Sequence, residues 1–253
     1  LAGQHAMEQM SYVTTTQKSE NELVTQADPQ CQRIIIQQIR EIYPDHGFIA
    51  EEGEHGKLFK RPPTGTPTIW WAIDPIDGTH NFAHGIPIFA VSIAALYEGV
   101  PIVGVIFHPS TDAMFTAIKG GEAQLDGRRI VAGEQEIGSL TSVGIDSHFE
   151  GPLPPWLCDL IRQSRFRNFG TTALHLAYIA RGGLVAAVFC TPKLWDIAAG
   201  AVIAEAAGAV VTDWSGGKIF PIDLDAYDGG AFRIVAANPT AHRRLLTTMQ
   251  NPA

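Results

Sequence analysis

Residues 70–82 read WWAIDPIDGTHNF. An apolar run that reads as a buried strand ends in two carboxylates, Asp74 and Asp77, with Pro75 and Ile76 between them and Gly78 and Thr79 after. Charge at the end of a buried strand is costly unless a counter-charge neutralises it. No Lys or Arg lies close in sequence. A divalent cation is therefore the natural partner, and Mg²⁺ prefers oxygen ligands, often carboxylates, while keeping several waters. Pro75 interrupts a regular strand, and the kinked turn this predicts can aim both carboxylates and the Ile76 carbonyl at one region. The THNFAHG that follows predicts a short helix, whose first N–H groups suit a phosphate.

Each acid alone has a plainer explanation. An Asp-x-x-Asp pair serves well as turn and cap, and Asp196 at the start of WDIAAGAVIAEAAG serves well as a helix cap. Three separate placements point elsewhere. Glu51 and Glu52 end the strand GFIA, Asp74 and Asp77 end the strand predicted over 69–73, and Asp196 opens a helix, all in mostly apolar surroundings. Taken jointly, they fit one shared metal site better than three unrelated caps.

A chain of 253 residues, 45% hydrophobic and 17% charged, holds one large domain or two small ones with an ordinary globular core. The apolar segments 89–107 and 197–211 are broken by Glu98, Gly99 and Pro101, and by Glu205, which argues against a membrane span. The net charge of −8, from 18 basic and 26 acidic residues, argues against a nucleic-acid partner. The one basic cluster, Arg162, Arg165 and Arg167, reads as a solvated helix end. Cys31, Cys158 and Cys190 are far apart, show no zinc spacing, and read as reduced thiols of a cytoplasmic protein. No signal peptide is visible. A start at Leu1 leads us to expect a first helix that begins upstream.

Along the chain, the spacing predicts a helix to about residue 13, an exposed turn or hairpin through TTTQKSENELVTQADPQ, and a helix from Asp28 to about residue 43 with Asp28 as cap and Pro29 in the first turn. Residues 57–67 read as a loop. Strands follow over 69–73, 88–97, 102–108 and 113–118, with turns at Glu98-Gly99, 109–112, KGGEA and LDGRR. The texture changes near 133–139. After that come strand 141–145, helices 155–164 and 171–181, strand 184–189, helix 195–207, strands 209–212 and 232–236, and helix 239–249. A strand-rich half before an alternating half predicts two packed lobes, an α+β lobe over 1–135 carrying most of the acids and an α/β lobe over 136–253 carrying Asp196.

WAIDPIDGTHNF, the upstream FIAEE and LVTQAD, and the downstream WDIAAGAVIAEAAGAVV, in that order along the chain, resemble the inositol monophosphatase family of Mg²⁺-dependent, lithium-sensitive phosphatases. The match covers nearly the whole chain, and Asp-Pro-Ile-Asp-Gly-Thr is quite specific. The resemblance implies a layered αβαβα sandwich of the inositol monophosphatase/fructose-1,6-bisphosphatase type, built as a homodimer. It assigns Glu51, Asp74 and the Ile76 carbonyl to a first Mg²⁺ and Asp74, Asp77 and Asp196 to a second, with Glu51 helping to hold a weaker third. Thr79, hydrogen-bonded to Asp28, would orient the attacking water, and the N–H groups of Gly78 and Thr79 would hold phosphate oxygens. Glu52 would stand just behind the ligands. Gly170, Thr171 and Thr172, in NFGTTALHLAYIA, would lie beside the substrate's hydroxyls; a helix cap at Thr171 explains the same residues locally.

The chemistry agrees with the resemblance. Hydrolysing a phosphate monoester requires charge neutralisation, a nucleophile and help for the leaving alkoxide, and metal ions can supply all three without a nucleophilic side chain. No Gly-x-Ser-x-Gly, HExxH or Cys with a nearby base occurs. His80 and His84 flank the motif and read as surface groups or as neighbours of the ligands, not as ligands themselves. The substrate is less legible. Inositol-selective members carry a glutamate before the Trp-Asp pair; counted back from Trp195 without gaps, that position is Phe189. A site without that hydroxyl acceptor loses selectivity for the polyol. Lys193 lies close enough to contact an anionic or carbonyl group. Three functions follow: hydrolysis of inositol monophosphate or a similar polyol or sugar phosphate, histidinol-phosphate hydrolysis on the same scaffold, or a non-catalytic phosphatase-fold binding protein.

Overall fold

The computed structural model describes residues 1–17, 23–147 and 152–250, the side chain at position 55 excepted. In chain order come helix α1 (Ala2–Gln9), strands β1 (Thr15–Gln17) and β2 (Leu23–Thr25), helix α2 (Ala27–Ile42), strands β3 (Gly47–Ala50), β4 (Phe59–Arg61) and β5 (Ile69–Asp77), and the short helix α3 (Thr79–Ala83). Strands β6 (Ala90–Tyr97), β7 (Val100–His108), β8 (Ala113–Ile118), β9 (Gln124–Leu125) and β10 (Arg128–Arg129) complete the first half. The second half runs β11 (Ser142–Ile145), α4 (Pro155–Gln163), β12 (Arg165–Arg167), α5 (Thr172–Ala180), β13 (Ala186–Phe189), α6 (Leu194–Ala206), β14 (Val210–Asp213), β15 (Ile234–Ala237) and α7 (Pro239–Gln250).

Besides the β1–β2 hairpin there are two sheets. One has eight strands in the order β10-β9-β8-β7-β6-β5-β3-β4, and the other five in the order β12-β11-β13-β15-β14. Strand alternation sorts their side chains into layers. On β3, Phe48 and Ala50 face α1 and α2, while Ile49 faces the middle of the molecule. On β13, Ala187 and Phe189 face the middle helices, while Ala186 and Val188 face α4 and α7. β15 splits in the same way, Ile234 and Ala236 inward, Val235 and Ala237 outward. Strands apolar on both faces must be covered on both faces, and the result is the expected αβαβα stack, with α5 and α6 between the sheets. The sequence of α6, LWDIAAGAVIAEA, is apolar nearly all round, as a helix buried on every side must be. Two hairpin turns follow their dipeptides: Glu98-Gly99 and Asp126-Gly127 both take positive φ at both positions, the type I′ pattern that suits strand twist.

Several local expectations need correction. Asp28 does not cap α2; Gln26 flanks the helix, and the Asp28 carboxylate turns back to accept from Thr25. The loop over 57–67 contains β4, which borrows its pairing from β3. The strand over 69–73 does not end at a turn but runs on to Asp77. Arg165 and Arg167 lie on the edge strand β12, where β11 supplies the pairing, and α4 has already stopped at Gln163. The first helix ends at Gln9, with a 3₁₀ turn over Met10–Tyr12. The connection of the β1–β2 hairpin lies outside the described residues.

The seat of α6 on the first sheet depends on a missing side chain. A Cβ on Gly104 of β7 would lie 2.5 Å from the Ala199 carbonyl oxygen and 2.5 Å from a Val202 methyl. Overpacking of this kind costs about 1–3 kcal/mol. Gly104→Ala is expected to lower the unfolding free energy by that amount in urea titration; a midpoint equal to that of the parent protein would show that α6 is not seated on this contact.

Candidate functional site

The centre of the site is a bulge. Against β6, Asp74 pairs with Ser92 and Asp77 with Ala90, so three steps on β5 oppose two on its neighbour. In a regular strand, residues three apart point to opposite faces. The extra residue restores the face, so Asp74 and Asp77 share the side of Ala72, which looks toward α5 and α6. Ile73 and Ile76 take the other side, among α1 and α2. The Ile76 N–H donates to Asp74 Oδ1 at 3.0 Å and steadies the bulge.

The start of α6 is fastened over this face. The Ser92 hydroxyl donates to the Trp195 carbonyl at 3.0 Å, and Asp196, in the first turn of α6, accepts from the Lys193 N–H at 2.7 Å. Asp196 thus has the capping contact the sequence suggested, and its carboxyl also shares a hydrogen bond with Asp74. Asp77 meets the start of α5. It accepts from the Thr171 hydroxyl and the Ala173 N–H at one oxygen, and from the Thr172 N–H at 3.3 Å at the other.

The electrostatics follow from this crowding. Burial, followed by the charges of Glu51, Asp77 and Asp196, raises the Asp74 carboxyl well above the carboxylate range. Burial and then Asp196 push Asp77 up to about 7, against the contacts from Thr171, Ala173 and Thr172. Asp196 is raised to about 6 by burial, opposed by the Lys193 N–H and Asp74; it still meets solvent through the cavity and is the least confined of the three.

Thr79 opens α3 just after Gly78, which has φ +99°, a conformation glycine adopts without strain. The Thr79 hydroxyl lies 3.0 Å from Asp28 Oδ1 and 2.9 Å from the Ile76 carbonyl, both acceptors. Asp28 is fully buried behind it, held by the Thr25 N–H and hydroxyl, and burial raises it to about 6. Glu51, Asp77, Gly78, Thr79, Gly170, Thr171, Thr172 and Asp196 line one cavity of about 710 Å³, with Asp74 and Ile76 buried beneath it. The Glu52 main chain is clasped by the Gln32 side chain at 2.6 and 2.9 Å, and the Glu52 charge adds to the rise of Asp28 behind Thr79. Phe189 is fully buried in the inner core and does not reach the cavity.

Other lining residues were not singled out from sequence. Asn81 donates to the Phe169 carbonyl at 2.6 Å and the Ile88 carbonyl at 2.7 Å, tying α3 to the loop before α5. Asp146, just after β11, and Thr191, just after β13, form the opposite wall with Ser147. Asp146 carries the same signal as Glu51, an acid directly after a short apolar strand, here SVGI.

The donor set is chemically right for Mg²⁺: hard carboxylate oxygens, crowded together. As placed, however, no three His, Cys, Asp or Glu side chains among the described residues form a ready cage for an ion. Asp77 is turned to α5 and Asp74 to Asp196, so ligation requires carboxyl rotations within the same cavity.

Residues 2–252 match the family model described as the inositol monophosphatase family. Nus factor SuhB of Vibrio cholerae is 35% identical over 97% of this chain and 90% of its own length. Inositol-1-monophosphatase of Mesorhizobium japonicum is 34% identical over 93% of this chain and 85% of its own. Among solved structures, the extragenic suppressor protein suhB of Bartonella henselae aligns with TM-score 0.86 at 29% identity, covering 100% of this chain and 95% of that one. The Thermotoga maritima IMPase aligns with TM-score 0.83 at 28% identity, covering 98% and 92%.

His175 on α5 anchors the loop at the cavity edge. Its Nε2 accepts from the Phe169 N–H at 3.1 Å, its ring bonds the Arg167 main chain, and the Phe169 ring stacks on it at 4.8 Å. Burial pushes its pKa down to about 4. Above about pH 6.5 the imidazole is neutral in both states. Below that the unfolded chain takes a proton that the native chain refuses, so stability falls with pH until about 4, by about 1.4 kcal/mol per pH unit. Urea unfolding at pH 7 and pH 5 is expected to cost the parent protein about 2 kcal/mol more than His175→Gln. Equal losses in the two proteins would mean that His175 is not the refusing group.

Proposed function

This chain belongs to the inositol monophosphatase family, and from that premise we propose that it is a Mg²⁺-dependent phosphomonoesterase, a phosphoric monoester hydrolase acting on inositol monophosphate or a similar polyol or sugar phosphate. The observation that carries the reading is the pair Asp74 and Asp77 on one face of a bulged strand, opposite Asp196, with burial and mutual repulsion raising both carboxyls. Glu51, Asp74, the Ile76 carbonyl, Asp77 and Asp196 would hold two to three Mg²⁺. Bound there, the metal offsets the charge of the phosphate, lowers the pKa of a water and steadies the attacking and leaving oxygens.

The chain's own groups do the rest. The Thr79 proton is directed at Asp28 or the Ile76 carbonyl, which leaves the Thr79 oxygen as an acceptor toward the cavity. It can therefore hold one O–H of the attacking water while Asp28 fixes the direction. The N–H groups of Gly78 and Thr79, at the start of α3, would receive phosphate oxygens. Gly170, Thr171 and Thr172 would border the alcohol. On this reading residues 1–135 and 136–253 act as two lobes that close one site between them, in a cytoplasmic, lithium-sensitive homodimer with neither nucleic acid nor membrane as partner. The charge of −8 supports that partner choice, and no helix among the described residues is long and apolar enough to cross a membrane.

Several relatives bear the name Nus factor SuhB, which favours a second reading, a phosphatase-fold protein that binds a macromolecular partner. Retention of Glu51, Asp74, Asp77, Thr79 and Asp196 supports catalysis, because binding alone does not require the whole set. The discriminating experiment is phosphate release from inositol, glycerol, sugar, histidinol and nucleotide phosphates, each with and without Mg²⁺. Metal-dependent release is expected from the polyol or sugar esters, a clear preference for histidinol phosphate would select that alternative, and no release from any would favour the binding reading. Asp74→Asn and Asp196→Asn are each expected to lower kcat/KM by about 10³-fold with the circular dichroism spectrum retained. A near-parental rate for Asp74→Asn would sink the metal assignment. Li⁺, and Ca²⁺ at high concentration, are expected to inhibit, since Ca²⁺ tolerates looser coordination than Mg²⁺; full activity with Ca²⁺ alone would contradict this.

A further inference from the structure

One wall of the cavity comes from the second sheet. β11 and β13 run parallel, so their carboxyl ends open side by side, the usual place for a ligand on parallel strands. Asp146 stands at the end of the first and Thr191 at the end of the second, and both line the cavity. Asp146 is gripped by main-chain donors only: the N–H groups of Cys190 at 3.0 Å and Thr191 at 3.3 Å reach Oδ2, and that of Ser147 at 2.8 Å reaches Oδ1. These contacts fix its direction. A carboxylate has about four acceptor positions, so capacity remains for donors arriving from the cavity. Ser147, Thr172 and Thr191 add hydroxyls to the same lining, and Lys193 adds an amine. At the end of β13, Phe189 is buried and offers no polar atom to this wall.

We propose that Asp146 accepts hydrogen bonds from hydroxyl groups on the alcohol part of the substrate, and so selects phosphate esters of polyols over those of plain alcohols. The inference rests on the phosphatase reading. It adds the acceptor that sets selectivity, a rigid anionic one whose partners must be donors. A substrate that lacks the hydroxyl leaves the Asp146 oxygens without the donors that water would otherwise supply, the kind of mismatch a polar site rejects.

The test compares glycerol 1-phosphate with propyl phosphate, esters on the same carbon skeleton that differ in hydroxyls, in the presence of Mg²⁺. The parent protein is expected to favour glycerol 1-phosphate in kcat/KM by about 10- to 100-fold, the range of a charge-assisted hydrogen bond. In Asp146→Asn that ratio is expected to fall toward unity. Asp146→Ser, which keeps a small acceptor for the main-chain donors, should do the same and guards against a collapsed loop. Retention of the preference in both variants would overturn the proposal. So would a matched loss on both esters with a raised Mg²⁺ requirement, which would place the carboxylate in the metal site. Release of phosphate from both esters by the parent protein without preference would refute the role of Asp146 and leave the phosphatase reading standing; release from neither, with the inositol, sugar, histidinol and nucleotide phosphates also left intact, would refute both.

Discussion

One extra residue in β5 governs the rest. Without the bulge opposite Ser92 and Ala90, Asp77 would fall on the face of Ile73 and Ile76, among the apolar side chains of α1 and α2. With it, two acids share the inner face, and burial and mutual repulsion raise both. The fold answers in part with helix starts. The first N–H groups of α5 meet Asp77, and the first turn of α6 brings Asp196 with a donor of its own from Lys193. The positive end of a helix stabilises nearby negative charge by a few tenths to about 1 kcal/mol at ordinary exposure, too little to balance three crowded carboxyls. The remainder shows as raised proton affinity, and it is this remainder that a dication would take over.

The same constraint explains why α5 and α6 occupy the middle layer. Both helices must begin where β5 bulges, and both must be covered on all sides by the two sheets. Leu174 and Ala177 of α5 belong to the core of the first sheet, Leu176 and Ile179 to that of the second. On α6, Ala198 and Ala199 face the first, Ile197 and Ala201 the second. Small residues let the helices lie close, and Gly104 lets α6 approach β7. The acids are therefore positioned by core packing and not by mobile loops, which is how a site of this precision is best held.

What was legible in the sequence was whatever a short window contains. Asp74, Asp77, Glu51 and Asp196 are charges in apolar surroundings, and that contrast needs no partner strand to be seen. The layered fold was legible because strands apolar on both faces demand two covers. The bulge was not, since it exists only as a register against β6. Asp28 reads locally as a cap, because a cap needs only its own helix; its actual partners, Thr25 and Thr79, belong to a strand and to a helix fifty residues away. β12 is three residues of RFR that pair only because β11 is already there. Asp146 had the right local signal, but its direction depends on the N–H groups that follow β13, which no local pattern joins to it.

The two sides of the cavity thus have different physical origins. The side proposed for hydrolysis comes from a bulge in an antiparallel pairing and two helix starts, which crowd three acids together. The side proposed for the alcohol comes from the carboxyl ends of parallel strands in the other sheet, where main-chain donors fix the direction of Asp146. The two sides share α5, whose start carries Thr171 and Thr172, and whose His175 holds the Phe169 main chain in place. On the proposed reading, a substitution at the end of β11 or β13 would change which alcohol fits while β5 and α6 stay as they are. A change at the start of α5 would disturb both, because the residues that meet Asp77 are the ones proposed to border the alcohol.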